Sequence, residues 1–78
     1  MENVAEIVAL LRKQAQLESQ ILNGNGTAIL SEQELETTRR RLAAQPQALN
    51  AVLLTARALG RRPDAVSVQE VTEFGGAN

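Results

Sequence analysis

The sequence contains no cysteine, histidine, tryptophan or tyrosine, and only one phenylalanine. Without cysteine and histidine it can form no disulfide and none of the usual ligand sets of zinc, haem and iron–sulfur clusters, so we expect neither metal nor cofactor. The shortage of aromatic residues restricts any core to aliphatic side chains. A core of this kind in 78 residues is small and gives little stability. Since disulfides and metals are excluded, self-association is the remaining way to stabilise the fold.

Long hydrophobic runs are also missing, and none approaches the roughly 20 residues of a membrane-spanning helix. The acidic start, Met1-Glu2-Asn3, lacks the basic stretch of a secretory signal, so we expect a cytoplasmic protein with no membrane contact. With 44% hydrophobic and 22% charged residues, the composition is that of a folded globular chain. The length allows one helical domain, predicted over residues 1–74, with residues 75–78 as a disordered tail.

The first segment predicts a long amphipathic helix from Asn3 to about Leu22, because its apolar residues recur at helical spacing. Asn3 can cap this helix, with Glu6 as the carboxylate of a capping box. In heptad positions the apolar residues form a coiled-coil seam. Gln14 at its centre either sets register and oligomer number or lies at a rim. The predicted partner or dimer interface comprises Ile7, Leu10, Leu11, Gln14, Leu17 and Ile21.

A Gly-Asn turn at residues 23–26 is predicted to end the first helix, since glycine and asparagine accept left-handed backbone. The second helix is predicted to begin at Ser31. Ser31 and Glu34 have the spacing of a capping box, and Leu30 is placed to pack on Leu35 as a hydrophobic staple.

Pro46 separates the second helix from a third. It disfavours helix at the preceding residue but is accepted at the first position of a new helix, which should end at Gly60. The last segment is ambiguous. Ser67 and Glu70 form a second capping box and predict a short helix from Ser67 to Phe74, whereas the β-branched residues there also suit a strand. We predict the helix, because a lone strand has nothing to pair with.

Charge is distributed unevenly along the chain. Residues 1–36 carry two basic and six acidic side chains, residues 37–62 carry six arginines and no acid, and residues 63–78 carry three acids. The basic middle could bind nucleic-acid phosphates. The shortage of aromatic residues for base stacking argues against single-stranded nucleic acid. We expect the arginines instead to pair with acids of this chain or a partner, such as Glu36 with Arg39 and Arg40. The predicted basic patch comprises Arg39, Arg40, Arg41, Arg57, Arg61 and Arg62.

Residues 53–71 resemble a helix-turn-helix DNA-binding motif. Ala56, Gly60 and Val66 match its small residue, its turn glycine and the apolar anchor on its recognition helix. The resemblance implies a DNA-binding regulator whose second helix enters the major groove. Gln69 stands where the motif has an apolar residue, and the second helix would present mostly acids to phosphate, so DNA binding is the alternative rather than the main hypothesis.

The chain has few side chains that could act as a nucleophile, a general acid or a general base. Carboxylates, Lys13 and hydroxyl groups are the candidates, and 78 residues leave little room for a substrate cleft beside a core. We therefore expect no enzyme and no catalytic site. The sequence predicts an all-α fold, a small helical hairpin or bundle with a long N-terminal helix, a Gly-Asn turn and two or three shorter helices. Its predicted role is an adaptor, chaperone-like or regulatory module that binds a second copy of itself and an unknown protein through helix packing.

Overall fold

A computed structural model describes residues 2–24 and 28–74 of the chain. Within these residues the fold consists of four α-helices and one 3₁₀ turn, with no β-strand, and no helix there is long and apolar enough to cross a membrane. The elements are α1 Val4–Leu22, α2 Ala28–Ala43, α3 Pro46–Leu59, the 3₁₀ turn Pro63–Ala65 and α4 Val68–Phe74. The predicted all-α fold with a long N-terminal helix is confirmed.

The ends of α1 follow the sequence closely, with one correction. Asn3 caps the helix, and its side-chain oxygen accepts a hydrogen bond from the backbone N–H of Glu6 at 3.2 Å. The Glu6 carboxylate does not return the bond. The N–H of Asn3 instead donates to Gln45 at 2.7 Å, and the Gln45 amide donates to Glu6. Gly24 adopts left-handed backbone (φ 68°) after α1, as the turn prediction requires, and the rest of that turn lies outside the described residues.

The prediction that Ser31 caps α2 is wrong, because α2 begins one turn earlier. Ser31 is a buried helical residue whose hydroxyl donates to the Gln20 side chain on α1 at 3.2 Å. The predicted capping box with Glu34 and the staple of Leu30 on Leu35 therefore do not start the helix, and Leu30 is 64% exposed. A capping box is one way to satisfy the first N–H groups of a helix, and here Ser31 instead contacts α1 from inside the first turns of α2.

The predictions for α3 and α4 are confirmed. Pro46 is the first residue of α3, and Gly60 ends it in left-handed backbone (φ 65°). The Ser67 hydroxyl accepts from the N–H of Glu70 at 3.2 Å, and the Glu70 carboxylate accepts from the N–H of Ser67 at 3.0 Å. This reciprocal pair makes the last segment a helix rather than a strand. The predicted tail at residues 75–78 lies outside the described residues.

The recognition helix implied by the resemblance of residues 53–71 to a helix-turn-helix motif does not form as expected. Ala56 is buried and Gly60 is left-handed, as the resemblance implies. Val66, however, lies in extended backbone (φ −95°, ψ 140°), two residues before α4 begins. The link between α3 and α4 also contains the 3₁₀ turn, so the apolar anchor is a loop residue and does not lie on a recognition helix.

The central element is α1, which contacts α2, α3, the 3₁₀ turn and α4. Contacts at both ends of the hairpin, Gln20 with Ser31 and Asn3 with Gln45, show that α2 runs antiparallel to α1. The N–H of Ala48 donates to Glu2 at 2.7 Å, so α3 starts beside the start of α1. The aliphatic core between these helices consists of Ile7, Val8, Leu10, Leu11, Leu42, Ala48, Val52, Ala56, Val66 and Val71.

Candidate protein-interaction surfaces

An apolar groove, here called the long groove, runs along α1 between α2 and α3. Its floor is the α1 stripe at helical spacing formed by Leu11, Gln14, Ala15 and Glu18, and its open end is at Leu22. From Leu11 to Leu22, at 1.5 Å per residue, the long groove is about 16 Å long, or three helical turns. A segment of one further helix fits such a length.

The walls of the long groove come from α2 on one side and from α3 with the 3₁₀ turn on the other. Leu35 and Leu42 belong to the α2 wall, and Leu49 and Leu53 belong to the α3 wall. Leu49 is half-buried and Leu53 is 41% exposed. These two leucines, one turn apart, form an apolar ridge that we call the α3 ridge. The ridge and the groove therefore lie side by side on one face of the molecule.

The charged side chains that line the long groove are balanced. Arg39 on α2 lies 3.4 Å from Glu18 on α1, and Arg62 lies 3.1 Å from Asp64. Each arginine thus has a carboxylate partner within the groove. The face as a whole combines apolar side chains with no excess of either charge.

A second surface, here called the basic hollow, lies on the other flank of α2. It has a volume of about 450 Å³ and is lined by Leu10 and Lys13 from α1 and by Leu30, Gln33, Glu34, Thr37, Thr38 and Arg41 from α2. Within the described part of the chain, neither Lys13 nor Arg41 forms an ion pair. With Glu34 as the one acid in its lining, the basic hollow carries an excess positive charge.

The six residues predicted as an interface are divided between the interior and the two surfaces. Four of them, Ile7, Leu10, Leu11 and Leu17, are buried, and Gln14 and Ile21 are half-buried. Leu11, Gln14 and Ile21 also line the long groove, whereas Leu10 lines the basic hollow. The coiled-coil seam of α1 therefore packs largely within its own chain.

Sequence reasoning missed the α3 ridge as a surface feature. It assigned no separate role to the apolar residues of α3, of which Val52 and Ala56 are buried. Leu49 and Leu53 extend the apolar stripe beyond that buried face. An apolar stripe wider than one neighbouring helix can cover is the signal that would have identified the ridge.

Most of the predicted basic patch is paired with acids of the chain itself. Besides the two pairs of the long groove, Arg40 lies 2.9 Å from Glu36 and Arg61 lies 2.6 Å from Glu70. The Glu36–Arg40 pair was predicted. The Glu36–Arg39 pair does not form, because Arg39 reaches across to α1. In residues 2–24 and 28–74, Arg41 and Arg57 are the patch members without an ion pair.

Across the described ranges, no three acidic side chains are grouped in a way that could hold a metal ion. Neither a protein-family model, nor a curated protein, nor a solved structure matches this chain. The class of molecule is therefore given by its geometry, a small all-helical domain with two distinct surfaces, one charge-balanced and one basic.

Proposed function

We propose that this chain is a non-enzymatic protein-interaction module that forms a homodimer, in which the α3 ridge of each copy packs into the long groove of the other. The observation that carries the proposal is the position of Leu53, beside a groove lined by Leu11 and Leu42. In a two-fold dimer each copy presents the same residues to the other. A ridge next to a groove of similar apolar character meets that requirement.

The charge balance of the long groove also favours a second copy as its occupant. Two identical faces bring identical charges together, and an unbalanced face repels itself. Here the Arg39–Glu18 and Arg62–Asp64 pairs leave no net charge to repel.

The thin core supplies the thermodynamic reason for association. The described residues contain a small aliphatic core, while Leu53 and Leu22 on the groove side remain 41% and 85% exposed. Fully burying a leucine side chain stabilises by about 1.5–3 kcal/mol, which is large beside the ~3–5 kcal/mol typical of one core of this size. The proposed interface uses the long groove because Ile7, Leu10 and Leu17 of the predicted seam already pack inside the chain.

Light scattering on two adjacent leucine variants tests the dimer. Leu53 lines the groove, whereas Leu54 is 51% exposed and belongs to no groove or hollow described above. We expect the wild type and Leu54→Asp to have the mass of a dimer at micromolar concentration, and Leu53→Asp to have the mass of a monomer with unchanged helical circular dichroism. A wild-type monomer throughout the concentration range, or a Leu53→Asp dimer, would refute the proposal.

DNA binding remains the alternative and has less support. Its basis is the resemblance at residues 53–71, and α4 carries the acids Glu70 and Glu73 where phosphate would lie. If the alternative holds, duplex DNA is retarded in a gel at low salt, and retardation falls steeply with added salt and with Arg61→Glu and Arg62→Glu. The cytoplasmic location of the module stays a prediction.

A further inference from the structure

We propose that the basic hollow binds an acidic amphipathic helix of a different protein. This surface lies on the opposite flank of α2 from the long groove, so the proposal stands apart from homodimer formation. The chemistry of the hollow indicates the kind of partner. The partner helix would supply apolar side chains that fill the hollow and carboxylates that pair with its cations.

The shape of the basic hollow suits a helix. Its α2 side is a stripe at helical spacing, with Leu30, Glu34, Thr37 and Arg41 on successive turns, and α1 forms the facing side. Leu10 lies at its base, 7% exposed, and Leu30 lies at one end, 64% exposed. A groove between two helices with apolar side chains at its base and at one end can receive the apolar face of a third helix, and the polar side chains along its rim can meet the flanking residues of that helix.

The charge of the basic hollow selects an acidic partner. Lys13 on α1 and Arg41 on α2 have no ion pair in the described residues, so no carboxylate there offsets their charge by direct contact. Carboxylates flanking the apolar stripe of an incoming helix supply the missing partners and speed its approach.

The same charge argues against two other occupants. A second copy seated symmetrically on this surface would bring together two hollows with the same net positive charge, which is unfavourable. A nucleic-acid backbone carries one charge per phosphate and is normally met by several cations, whereas this hollow offers two and includes the carboxylate of Glu34.

Two synthetic peptides test the proposal. Both are helical and carry leucine at alternating three- and four-residue spacing; one has glutamate beside the leucine stripe, and the other has lysine at the same positions. We expect the acidic peptide to bind the protein about tenfold more tightly by fluorescence anisotropy, and to lose that advantage as salt is raised. Arg41→Glu should reverse the preference, whereas Arg40→Glu, the exposed neighbour outside the hollow, should preserve it.

A third variant separates this surface from the dimer interface. Leu53→Asp, which alters the long groove, should bind the acidic peptide as tightly as the wild type whether or not the protein is a dimer. The proposal is overturned if the two peptides bind equally, if neither binds at millimolar concentration, if Arg40→Glu has the effect of Arg41→Glu, or if Leu53→Asp abolishes binding. Displacement of the peptide by duplex DNA at equal charge concentration would also overturn it, in favour of nucleic acid.

Discussion

Arg61, just beyond the end of α3, lies 2.6 Å from Glu70 in the first turn of α4. The second carboxylate oxygen of Glu70 accepts the N–H of Ser67 at 3.0 Å. This backbone hydrogen bond lowers the pKa of Glu70; partial burial opposes it, and the Ser67 hydroxyl and the charge of Arg61 act in the same direction as the N–H. One carboxylate therefore both caps α4 and joins it to the end of α3.

Removing the charge of Glu70 should make the free energy of unfolding depend less on pH in the acidic range. The pKa of Glu70 is lower in the folded chain than its ordinary value of 4.5, so the ionised carboxylate stabilises the fold above pH 4.5 and this contribution is lost as the pH falls through the folded pKa. We expect Glu70→Gln to lower the urea midpoint at neutral pH, and the difference from wild type to shrink below pH 4.5.

Glu73→Gln is the matched control for this measurement. It makes the same change of charge on the same helix at an exposed residue, so its urea midpoint should stay near that of wild type. A Glu70→Gln difference that does not vary with pH, or an equal effect of Glu73→Gln, would contradict the assigned role of Glu70.

Truncating Ile7 should unfold the chain. Ile7 is fully buried in the core, and removing an isoleucine side chain to alanine at such a site costs about 2–5 kcal/mol, comparable to the ~3–5 kcal/mol expected from a core of this size. Far-ultraviolet circular dichroism should show the loss of helix in Ile7→Ala. Leu54→Ala, at a 51% exposed position on α3, should change the free energy of unfolding by less than about 0.5 kcal/mol. If Ile7→Ala stayed as helical and stable as wild type, Ile7 would not belong to the core.

The Gln45 side chain should contribute more to the free energy of unfolding than an ordinary exposed glutamine does. Its side chain accepts from the N–H of Asn3 and donates to Glu6, so it joins the α2–α3 connection to the first turn of α1. We expect Gln45→Ala to lower the free energy of unfolding by about 1–2 kcal/mol in urea denaturation. Gln47→Ala, two residues later and exposed, provides the comparison, and equal losses in the two variants would mean that the bridge contributes nothing.

Local patterns predicted three helix ends, the start of α1 and both ends of α3, because each pattern acts within a few residues. The Asn3 side chain reaches the N–H of Glu6, Pro46 has no N–H to satisfy and so suits a first turn, and Gly60 accepts the left-handed backbone that closes α3. None of these features needs a contact from elsewhere in the fold. They could therefore be inferred from the order of residues.

The same reasoning was wrong at Ser31, although Ser31 and Ser67 have identical local patterns, each with glutamate three residues later. Ser67 caps α4, whereas Ser31 lies inside α2 with its hydroxyl on Gln20. The difference is a contact with a residue 11 positions away. A pattern of four residues contains no information about that neighbour.

The order of residues was sufficient for the all-α class, for the order of the helices and for most of their bounds, but it left the number of shorter helices at two or three and placed the start of α2 one turn too late. Helix packing settled which apolar residues are interior and which remain on the surface. Periodicity places side chains on a common face of a helix, but the face becomes core only where another helix covers it. For this reason Ile7 and Leu10 of the predicted seam are buried within the chain, while Leu53, with equal apolar character, borders an open groove.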